Sequence, residues 1–289
     1  MPIILLLPVW LLLSGCQPAP GHPLILEPIT HFDEALKESS GLIAYQQGFI
    51  SHNDSGNPAE LFMLTPQGDI SQRLSVPSPN HDWEAITMHE DTLYIGDIGN
   101  NGGRRQDLHI LKLQLADNKV ELLAKLAISY SEQTRFQPPM HQHNFDAEAL
   151  TWVDGELWLF TKRWLDANTT LYKVAPNPPL TSASPLTAQQ QLAPAMLVTG
   201  ADFDSHTHTL MLVGYSRNWL HRHAWLWLYP IVQGQVLEEQ GQQFKLSEQG
   251  QFEGVSLGAD GHIYLTREGK GINFFSHSTA VTCPTHFYS

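Results

Sequence analysis

The sequence has few cysteines, few basic residues and no long hydrophobic run, and each shortage excludes a class of protein. Only two cysteines occur among 289 residues, which excludes a fold held together by several disulfides. Lysine and arginine total 16 against 29 acidic residues, and nucleic acid is excluded as a partner because its binders need a basic face. No apolar run approaches the ~20 residues of a membrane-spanning helix. With 42% hydrophobic residues, the chain is expected to be an ordered, acidic globular protein.

The N-terminus is typical of a lipoprotein signal peptide. A short apolar stretch, 1–13, leads into Leu13-Ser14-Gly15-Cys16, which resembles a bacterial lipobox with a lipidated cysteine. We therefore expect residues 1–15 to be a signal peptide, Cys16 to carry the lipid and residues 16–23 to form a tether, so that only the lipid anchor contacts the membrane. Gln17 stands where an aspartate would resemble an inner-membrane retention signal. The outer membrane is thus predicted, with the protein facing the periplasm or the surface. A buried N-terminal strand that carries a cysteine is the alternative.

A short motif recurs along the rest of the chain. Residues 80–87 and 144–151 share the pattern Asn-x-Asp-x-Glu-Ala-aliphatic-Thr, and residues 249–256 keep the glutamate and a small residue after it. Residues 39–43 and 198–202 keep only the shape. Aligned on the small residue, the five copies offer an oxygen donor at one position: Ser40, Glu84, Glu148, Thr199 and Glu253. Such a repeat indicates an array of similar structural units.

Each copy of the motif begins a strand that a tight polar turn joins to a second strand, and a third strand follows. Four units also show a fourth strand, whereas the last unit, which ends near Ser278, lacks one. The two chain ends together have the length of one more unit, so residues 24–32 are expected to supply the missing strand. The sequence therefore predicts an all-β protein, a single five-bladed β-propeller over residues 24–289 that an N-terminal strand closes. The rival β-sandwich does not explain an oxygen donor at the start of every innermost strand.

The five aligned residues are expected to form a ring at the mouth of the central channel. Three glutamates in one ring repel each other unless a cation lies among them, and oxygen donors without thiolate or imidazole favour Ca²⁺. The predicted metal ligands are Ser40, Glu84, Glu148, Thr199 and Glu253. Asp82 and Asp146 are expected to orient loop amides or waters behind them. A hydrated ring without a metal is the alternative.

Polar residues also end the second strand of each unit, at the same end of the propeller. Acidic groups on the first two blades and cationic groups on the last three predict a small anionic ligand that bridges to the metal. The predicted ligand-binding residues are Asp54, Lys162, Arg163, Arg217 and Arg267. Alternatively, each of these cations pairs with a neighbouring acid and holds loops together.

The reaction expected of such a site is hydrolysis of a phosphate ester or ester, with Glu84 or Asp97 as the base. The alternative is a non-catalytic binding or assembly module whose partner is an unknown envelope protein. We expect a monomer in either case. Three His-x-His pairs, beginning at His141, His206 and His221, are interpreted as solvated rather than as Zn²⁺ or Cu²⁺ ligands, since acidic or cysteine partners at motif spacing are lacking. Ser51 and Ser216 lack the sequence context of a nucleophile.

The order of the ring residues resembles that of the calcium-activated nucleotidase (apyrase) family, whose central Ca²⁺ is held by a serine/glutamate ring. The motifs Ser-Gly-Leu at 40–42 and Glu-Gly at 253–254 also resemble bacterial propeller lipoproteins of the phytase-like and SdiA-regulated kinds. These resemblances cover residues 24–278 and imply a calcium-dependent hydrolase. Thr199 stands where the nucleotidases have serine, and their substrate-binding side chains have no individual counterparts in this chain.

Overall fold

The structure, a computed structural model, describes residues 23–116, 119–177, 185–218, 220–269 and 273–277. These residues form five antiparallel sheets and two short 3-10 helices, Glu34–Leu36 and Glu238–Gln240. Among them, no helix is long and apolar enough to cross a bilayer. The expected signal peptide, the lipidation site Cys16 and the tether up to residue 22 lie outside the described residues.

Each sheet is one blade, with its strands in chain order from the innermost outward. Blade one contains β2 (Ser39–Tyr45), β3 (Gly48–Asn53), β4 (Glu60–Leu64) and β5 (Ile70–Ser75). Blade two contains β6 (Trp83–His89), β7 (Thr92–Asp97), β8 (His109–Ala116) and β9 (Lys119–Ala127). Blade three contains β10 (Asp146–Val153), β11 (Glu156–Lys162), β12 (Thr169–Val174) and β13 (Gln190–Leu192). Blade four contains β14 (Leu197–Asp204), β15 (Thr209–Tyr215), β16 (His223–Val232) and β18 (Gln242–Gln249), with β17 (Gln235–Val236) paired to the end of β16. Blade five contains β19 (Phe252–Leu257), β20 (Ile263–Arg267), β21 (Phe274–His277) and β1 (Glu27–Thr30).

The five innermost strands contact one another in a closed circle. Strand β2 contacts β6, β6 contacts β10, β10 contacts β14, β14 contacts β19, and β19 returns to β2. This closure confirms the prediction of a five-bladed β-propeller.

The hydrophobic core is divided into five clusters, one between each pair of adjacent blades. Side chains of a strand alternate between the two faces of its sheet, and both faces are covered by neighbouring blades. The cluster between blades five and one is aromatic: the Phe49 ring lies 5.2 Å from Phe274 and 4.5 Å from Tyr264 between centroids. The fold is therefore held by packing between blades, and the last cluster depends on the two chain ends meeting.

The N-terminal strand closes the propeller as predicted. Strand β1 pairs antiparallel with β21, with Glu27 opposite Ser276. Upstream, Leu24 N donates to the Lys245 carbonyl at 2.7 Å, and Ser247 N donates to the Leu24 carbonyl at 2.9 Å. The side chain of Leu26 is buried in the cluster between blades four and five. One segment thus completes blade five and also binds the outer strand of blade four.

Candidate functional site

Each predicted ring residue occupies a β-bulge near the start of an innermost strand. In blade two, Trp83 pairs with Asp97 and Ala85 with Gly96, so Glu84 is left out of the ladder. The register shifts at the same place in the other blades, at Glu148, Thr199 and Glu253, and in blade one over Ser40 and Gly41. A bulge re-aims the side chain of its extra residue. The recurring motif therefore encodes a bulge that turns five side chains toward the axis.

A small residue follows each ring residue because the blades approach closely at the axis. A Cβ atom on Gly254 would lie 2.4 Å from Thr266 Oγ1 and 2.9 Å from Leu42 Cβ. A Cβ atom on Gly200 would lie 2.8 Å from the Glu253 carbonyl oxygen. Larger side chains at these positions would force neighbouring blades apart, which would disperse the ring.

The ring forms the floor of an open cavity of about 200 Å³. Trp164 and Tyr215 supply aromatic surface to its wall. The charged lining consists of six carboxylates and two cations: Glu38, Asp54, Glu84, Glu148, Glu253, Glu268, Lys162 and Arg222. On the other side of the cavity the channel narrows to a void of about 10 Å³, which the ring glutamates, Thr199 and the small or apolar residues that follow them line. The channel is thus wide on one side of the ring only.

Strand register selects the side chains that stand above the ring. Lys162 pairs with Asp146, and Tyr215 pairs with Leu197, in both cases two positions before the ring residue. Asp54 N and Glu268 N donate, each at 2.9 Å, to the carbonyls at the corresponding positions of blades one and five. These four residues all line the cavity. A residue one position out of phase points to the other face of its sheet.

Arg267 is one position out of phase with this set. It pairs with Phe252, directly before the ring residue of blade five. Its guanidinium lies 4.9 Å from the Phe275 ring centroid and donates to the Gln249 carbonyl at 2.8 Å. The sequence suggested Arg267 because it lies as far along the chain from its ring residue as Lys162 does. The turn of blade five, 258–262, is longer than the turn of blade three, and its paired strands are shorter, so the same distance along the chain reaches a different register position. Glu268 therefore faces the cavity where a cation was expected.

Asp97 is also out of phase, and it lies in a buried ion-pair cluster of blade two. Arg105 Nη2 donates to Asp97 Oδ1 at 2.7 Å, and His81 Nδ1 lies 3.1 Å from Oδ2. His109 Nε2 lies 3.7 Å from the same oxygen. Asp97 is not among the residues that line the cavity, so the structure does not bring it together with Glu84.

Arg163 and Arg217 hold loops, as the alternative interpretation expected. Arg163 contacts both carboxylate oxygens of Asp166, with Nε 3.0 Å from Oδ1 and Nη2 2.5 Å from Oδ2. Arg217 Nη1 donates to the Leu165 carbonyl at 2.9 Å. The guanidinium of Arg222 lines the cavity instead, 5.6 Å from the Tyr215 ring centroid. Arg222 could not be found from the repeat, because it lies in a loop that the repeat does not cover.

The motif aspartate and asparagine bind loop groups around the cavity. Asp146 Oδ1 accepts from Asn100 N at 2.6 Å, and its Oδ2 accepts from Trp164 Nε1 at 2.8 Å. Asn80 Nδ2 donates to the Asp54 carbonyl at 2.9 Å. The expectation that Asp146 orients a loop amide is confirmed, and these bonds position Trp164 and Asp54 on the cavity wall.

The histidines of the first His-x-His pair are packed rather than solvated. The His141 ring stacks on Trp164 at 3.8 Å between centroids. His143 is buried, with Nε2 3.0 Å from the Asn101 carbonyl and Nδ1 accepting from Phe145 N at 3.1 Å. The interpretation as solvated side chains is wrong for His143, because the loop before β10 folds back against the cavity wall, whereas His141 stays partly exposed.

Lys162 is a fully enclosed cation at the floor of the cavity. Its Nζ lies 2.6 Å and 2.5 Å from the two carboxylate oxygens of Glu148. The ammonium also lies 4.9 Å from the Trp164 ring centroid and 5.2 Å from that of Tyr215. Burial by itself lowers the pKa of Lys162, but the charges of Glu148 and Glu253 outweigh it and hold the pKa well above its ordinary value.

Three carboxylates of blades one and two form a second cluster; Asp54 and Glu84 line the cavity, and Asp82 lies beside them. Oxygens of Asp54, Asp82 and Glu84 lie within 4.8 Å of one another. Burial, and then the charges of Glu148 and Asp54, raise the pKa of Glu84 well above its ordinary value. Burial likewise raises the pKa of Asp54 to about 6 and raises the pKa of Asp82. A cation among these carboxylates would favour their ionised forms.

Gly99 forms a backbone cradle beside this cluster. A Cβ atom there would lie 2.4 Å from both Asp82 Oδ2 and Glu84 Oε1. Ser40 Oγ donates to Glu84 Oε2 at 3.2 Å from the other side. The side-chain atoms that could coordinate a metal ion here are all hard oxygens, the type that Ca²⁺ prefers. Because the missing side chain of Gly99 leaves room for both carboxylates, the residues present fit a bound divalent cation.

The comparisons with known proteins bear on the fold. No protein-family model matches the sequence, and no curated protein matches it. Two solved structures of glucose dehydrogenase match with TM-scores of 0.50 and 0.51 at 10% and 11% identity, each over 88% of this chain and 99% of the other. An oxidoreductase of the glucose dehydrogenase type from Thermus thermophilus matches at a TM-score of 0.48 and 12% identity, over 87% and 98% of the two chains. Such low identities show the fold alone. The first two structures are neither nucleotidases nor phytases, so the resemblance of the ring to those families gains no support from them.

Fold and site together define a five-bladed β-propeller with an acidic central cavity.

Proposed function

We propose that the cavity binds a divalent cation, Ca²⁺, through Asp54, Asp82 and Glu84. The observation that carries this proposal is the approach of their carboxylate oxygens to within 4.8 Å of one another. Carboxylates repel at such distances unless protons or a cation lie between them. The proposed site differs from the ring of five ligands that the sequence suggested. Glu148 is engaged by Lys162, and the Thr199 hydroxyl donates to the Phe252 carbonyl, so the cation moves toward blades one and two.

Calorimetric titration with Ca²⁺ tests the site. Wild type is expected to bind one ion per chain, and Asp54→Asn with Asp82→Asn is expected to lose at least about tenfold in affinity because two anionic ligands are removed. Ca²⁺ should raise the melting temperature of wild type but not of the double variant, since a ligand stabilises only the state that binds it.

Asp69→Asn is the matched control, since Asp69 is exposed in the turn between β4 and β5. It should bind Ca²⁺ as wild type does. Absence of Ca²⁺ binding by wild type at millimolar concentration would refute the proposal.

We further propose that a small anionic ligand binds in the cavity above the cation. Arg222 lines the wall and offers the planar donors that suit phosphate or carboxylate. Lys162 adds positive charge from the floor but is committed to Glu148. Of the predicted ligand-binding residues, Asp54 and Lys162 remain part of this proposal, whereas Arg163, Arg217 and Arg267 act through the loops that they hold.

Two functions remain compatible with that ligand, a hydrolase and a non-catalytic module of the cell envelope. Burial raises the pKa of Glu253 to about 7, which suits a general acid or base near neutral pH and favours the hydrolase. Gln251 Nε2 donates to Glu253 Oε1 at 3.3 Å and to Glu268 Oε2 at 2.5 Å. Bound Ca²⁺ would supply the polarisation of a phosphate or ester oxygen. Turnover of phosphate monoesters, nucleoside phosphates or lactones that Glu253→Gln abolishes would establish the hydrolase, and ligand binding without turnover would establish the module.

We propose outer-membrane anchoring through Cys16. Cys16→Ala should move the protein from the membrane fraction to the soluble fraction, because a single thioether-linked lipid group is the only contact proposed with the bilayer. The melting temperature should not change, since the propeller begins downstream of the tether. Persistence of the variant in salt-washed membranes would contradict the lipobox interpretation.

A further inference from the structure

The glutamate ring poses an electrostatic problem that the proposed Ca²⁺ site does not solve. Glu84, Glu148 and Glu253 are all buried around one axis. The cluster of Asp54, Asp82 and Glu84 involves only one of them. Leaving the other two without a counter-ion would raise the free energy of the folded state, because buried carboxylates are costly to ionise.

Lys162 places an ammonium group among these carboxylates. Its Nζ is within 2.6 Å of both oxygens of Glu148, and the charge of Glu253 also acts on it. The pairing of Lys162 with Asp146 at the end of β11 aims the side chain at the ring. The position of the ammonium is thus set by the strand, before any ligand arrives.

The walls around Nζ suit an ammonium better than a metal ion. The centroids of the Trp164 and Tyr215 rings lie 4.9 Å and 5.2 Å from Lys162 Nζ. Aromatic faces attract organic cations through their quadrupoles. Asp146 accepts from Trp164 Nε1 at 2.8 Å and so fixes one of these rings. Ca²⁺ instead requires about six to eight oxygen ligands.

We propose that Lys162 is the resident cation of the glutamate ring, so that the ring holds a tethered ammonium in the place of a metal ion. The ammonium excludes a divalent cation from the ring by occupying both oxygens of Glu148 and by placing its positive charge near Glu253. If the proposed function holds, on which this one consequence rests, Lys162 also restricts Ca²⁺ to the side of blades one and two. Lys162 is then a positioning and selectivity residue.

Removal of the ammonium should open a latent metal site in the ring. Lys162→Met keeps an unbranched side chain that is one atom shorter and deletes the charge. We place it in the Asp54→Asn, Asp82→Asn background, where the first site is disabled. Titration with Ca²⁺ should show a gain of at least about tenfold in affinity over that background, since Glu148 loses its ion pair and Glu253 loses the neighbouring positive charge. Addition of Glu148→Gln should remove the gain. No gain in a folded Lys162→Met variant would overturn the proposal.

A second measurement uses an organic ammonium as the probe. Lys162→Ala should lower the melting temperature, and propylammonium, which restores the atoms that the substitution deletes, should raise it again toward the wild-type value. Lys173→Ala is the matched control, because Lys173 Nζ also lies near a glutamate, 3.3 Å from Glu156, and 4.8 Å from the Trp158 centroid, but is partly exposed. Propylammonium should not restore it.

The two measurements separate this inference from the proposed function. If wild type does not bind Ca²⁺, the proposed function is refuted. The inference about Lys162 can still be tested, because the Lys162→Met variant should gain Ca²⁺ affinity in either case. Rescue of Lys162→Ala supports the inference even if that variant folds only with propylammonium. Lack of rescue, with Lys173→Ala behaving alike, refutes it.

Discussion

Deletion of residues 17–32 is expected to unfold the propeller, whereas deletion of residues 17–22 should leave its stability unchanged. The longer deletion removes β1, exposes the edge of β21 and uncovers the apolar surface that Leu24, Leu26 and Phe32 bury. Burial of one such side chain contributes about 1.5–3 kcal/mol, so the three together approach the total stability of a typical domain. Thermal unfolding followed by circular dichroism measures the difference. Equal melting temperatures for the two deletions would contradict closure by the N-terminal strand.

A matched pair of point variants tests the same strand without removing it. Leu26 is 5% exposed and Ile25 is 61% exposed, although the two residues are adjacent. Leu26→Ala should cost about 2–5 kcal/mol, the usual effect of emptying a buried leucine site. Ile25→Ala should cost less than about 0.5 kcal/mol, as surface substitutions do. A similar loss for both variants would indicate that the segment does not pack between blades four and five.

The fold could be predicted because the repeat and the strand pattern point to the same architecture. The motif marks the start of each innermost strand, and the missing strand of the last unit identifies the N-terminal segment as its replacement. The sequence could not show that Leu24 would also bind β18 through the Lys245 carbonyl and Ser247 N. That contact links two blades. It depends on how close the N-terminal segment lies to β18 in space, and the spacing of the motifs along the chain does not reveal this distance.

The ring could be predicted for a related reason, whereas the upper wall of the cavity could not. The motif encodes a local backbone feature, the bulge, and a bulge positions its own side chain wherever it occurs. The wall depends on the register between two strands, and register changes with the length of the turn that joins them. The second strands of blades three and five end at equal distances along the chain from their ring residues, yet Lys162 faces the cavity and Arg267 does not.

This difference of one residue changes the chemistry expected of the site. With Arg267 on the wall, its positive charge would have offset the negative charge of the ring, and an anion could have bound without a metal ion. With Glu268 in its place, the cavity carries six carboxylates against two cations, and this excess of negative charge repels an anion. If the proposed function holds, we therefore expect Ca²⁺ to bind first and the anionic ligand second.

Without Ca²⁺, Glu253 and Asp54 are expected to lower the free energy of unfolding as the pH rises. Burial raises the pKa of Glu253 from 4.5 to about 7 and that of Asp54 from 3.8 to about 6. Between the unfolded and folded pKa values, the folded protein keeps protons that the unfolded chain has released. The unfolding free energy therefore decreases with pH through this window, and the loss is complete above the folded pKa. For Glu253 the full loss is at most about 3 kcal/mol.

Urea unfolding in chelator at about pH 5 and about pH 8 measures this dependence. Glu253→Gln should flatten it, because an amide cannot release the proton. Glu121→Gln, which alters an exposed glutamate on β9, should keep the wild-type dependence. A pH dependence in chelator that Glu253→Gln leaves unchanged would contradict the protonation of Glu253 in the folded state.

The stabilisation that Ca²⁺ adds should depend on pH in the opposite direction and should increase as the pH rises. Ca²⁺ binds the ionised forms of Asp54, Asp82 and Glu84, so at low pH it must displace protons from carboxyls whose pKa values burial has raised. The increase in melting temperature caused by Ca²⁺ should therefore be larger at about pH 8 than at about pH 5. The Asp54→Asn, Asp82→Asn variant should show little increase at either pH. An increase of equal size at both pH values would mean that Ca²⁺ binds away from these carboxylates.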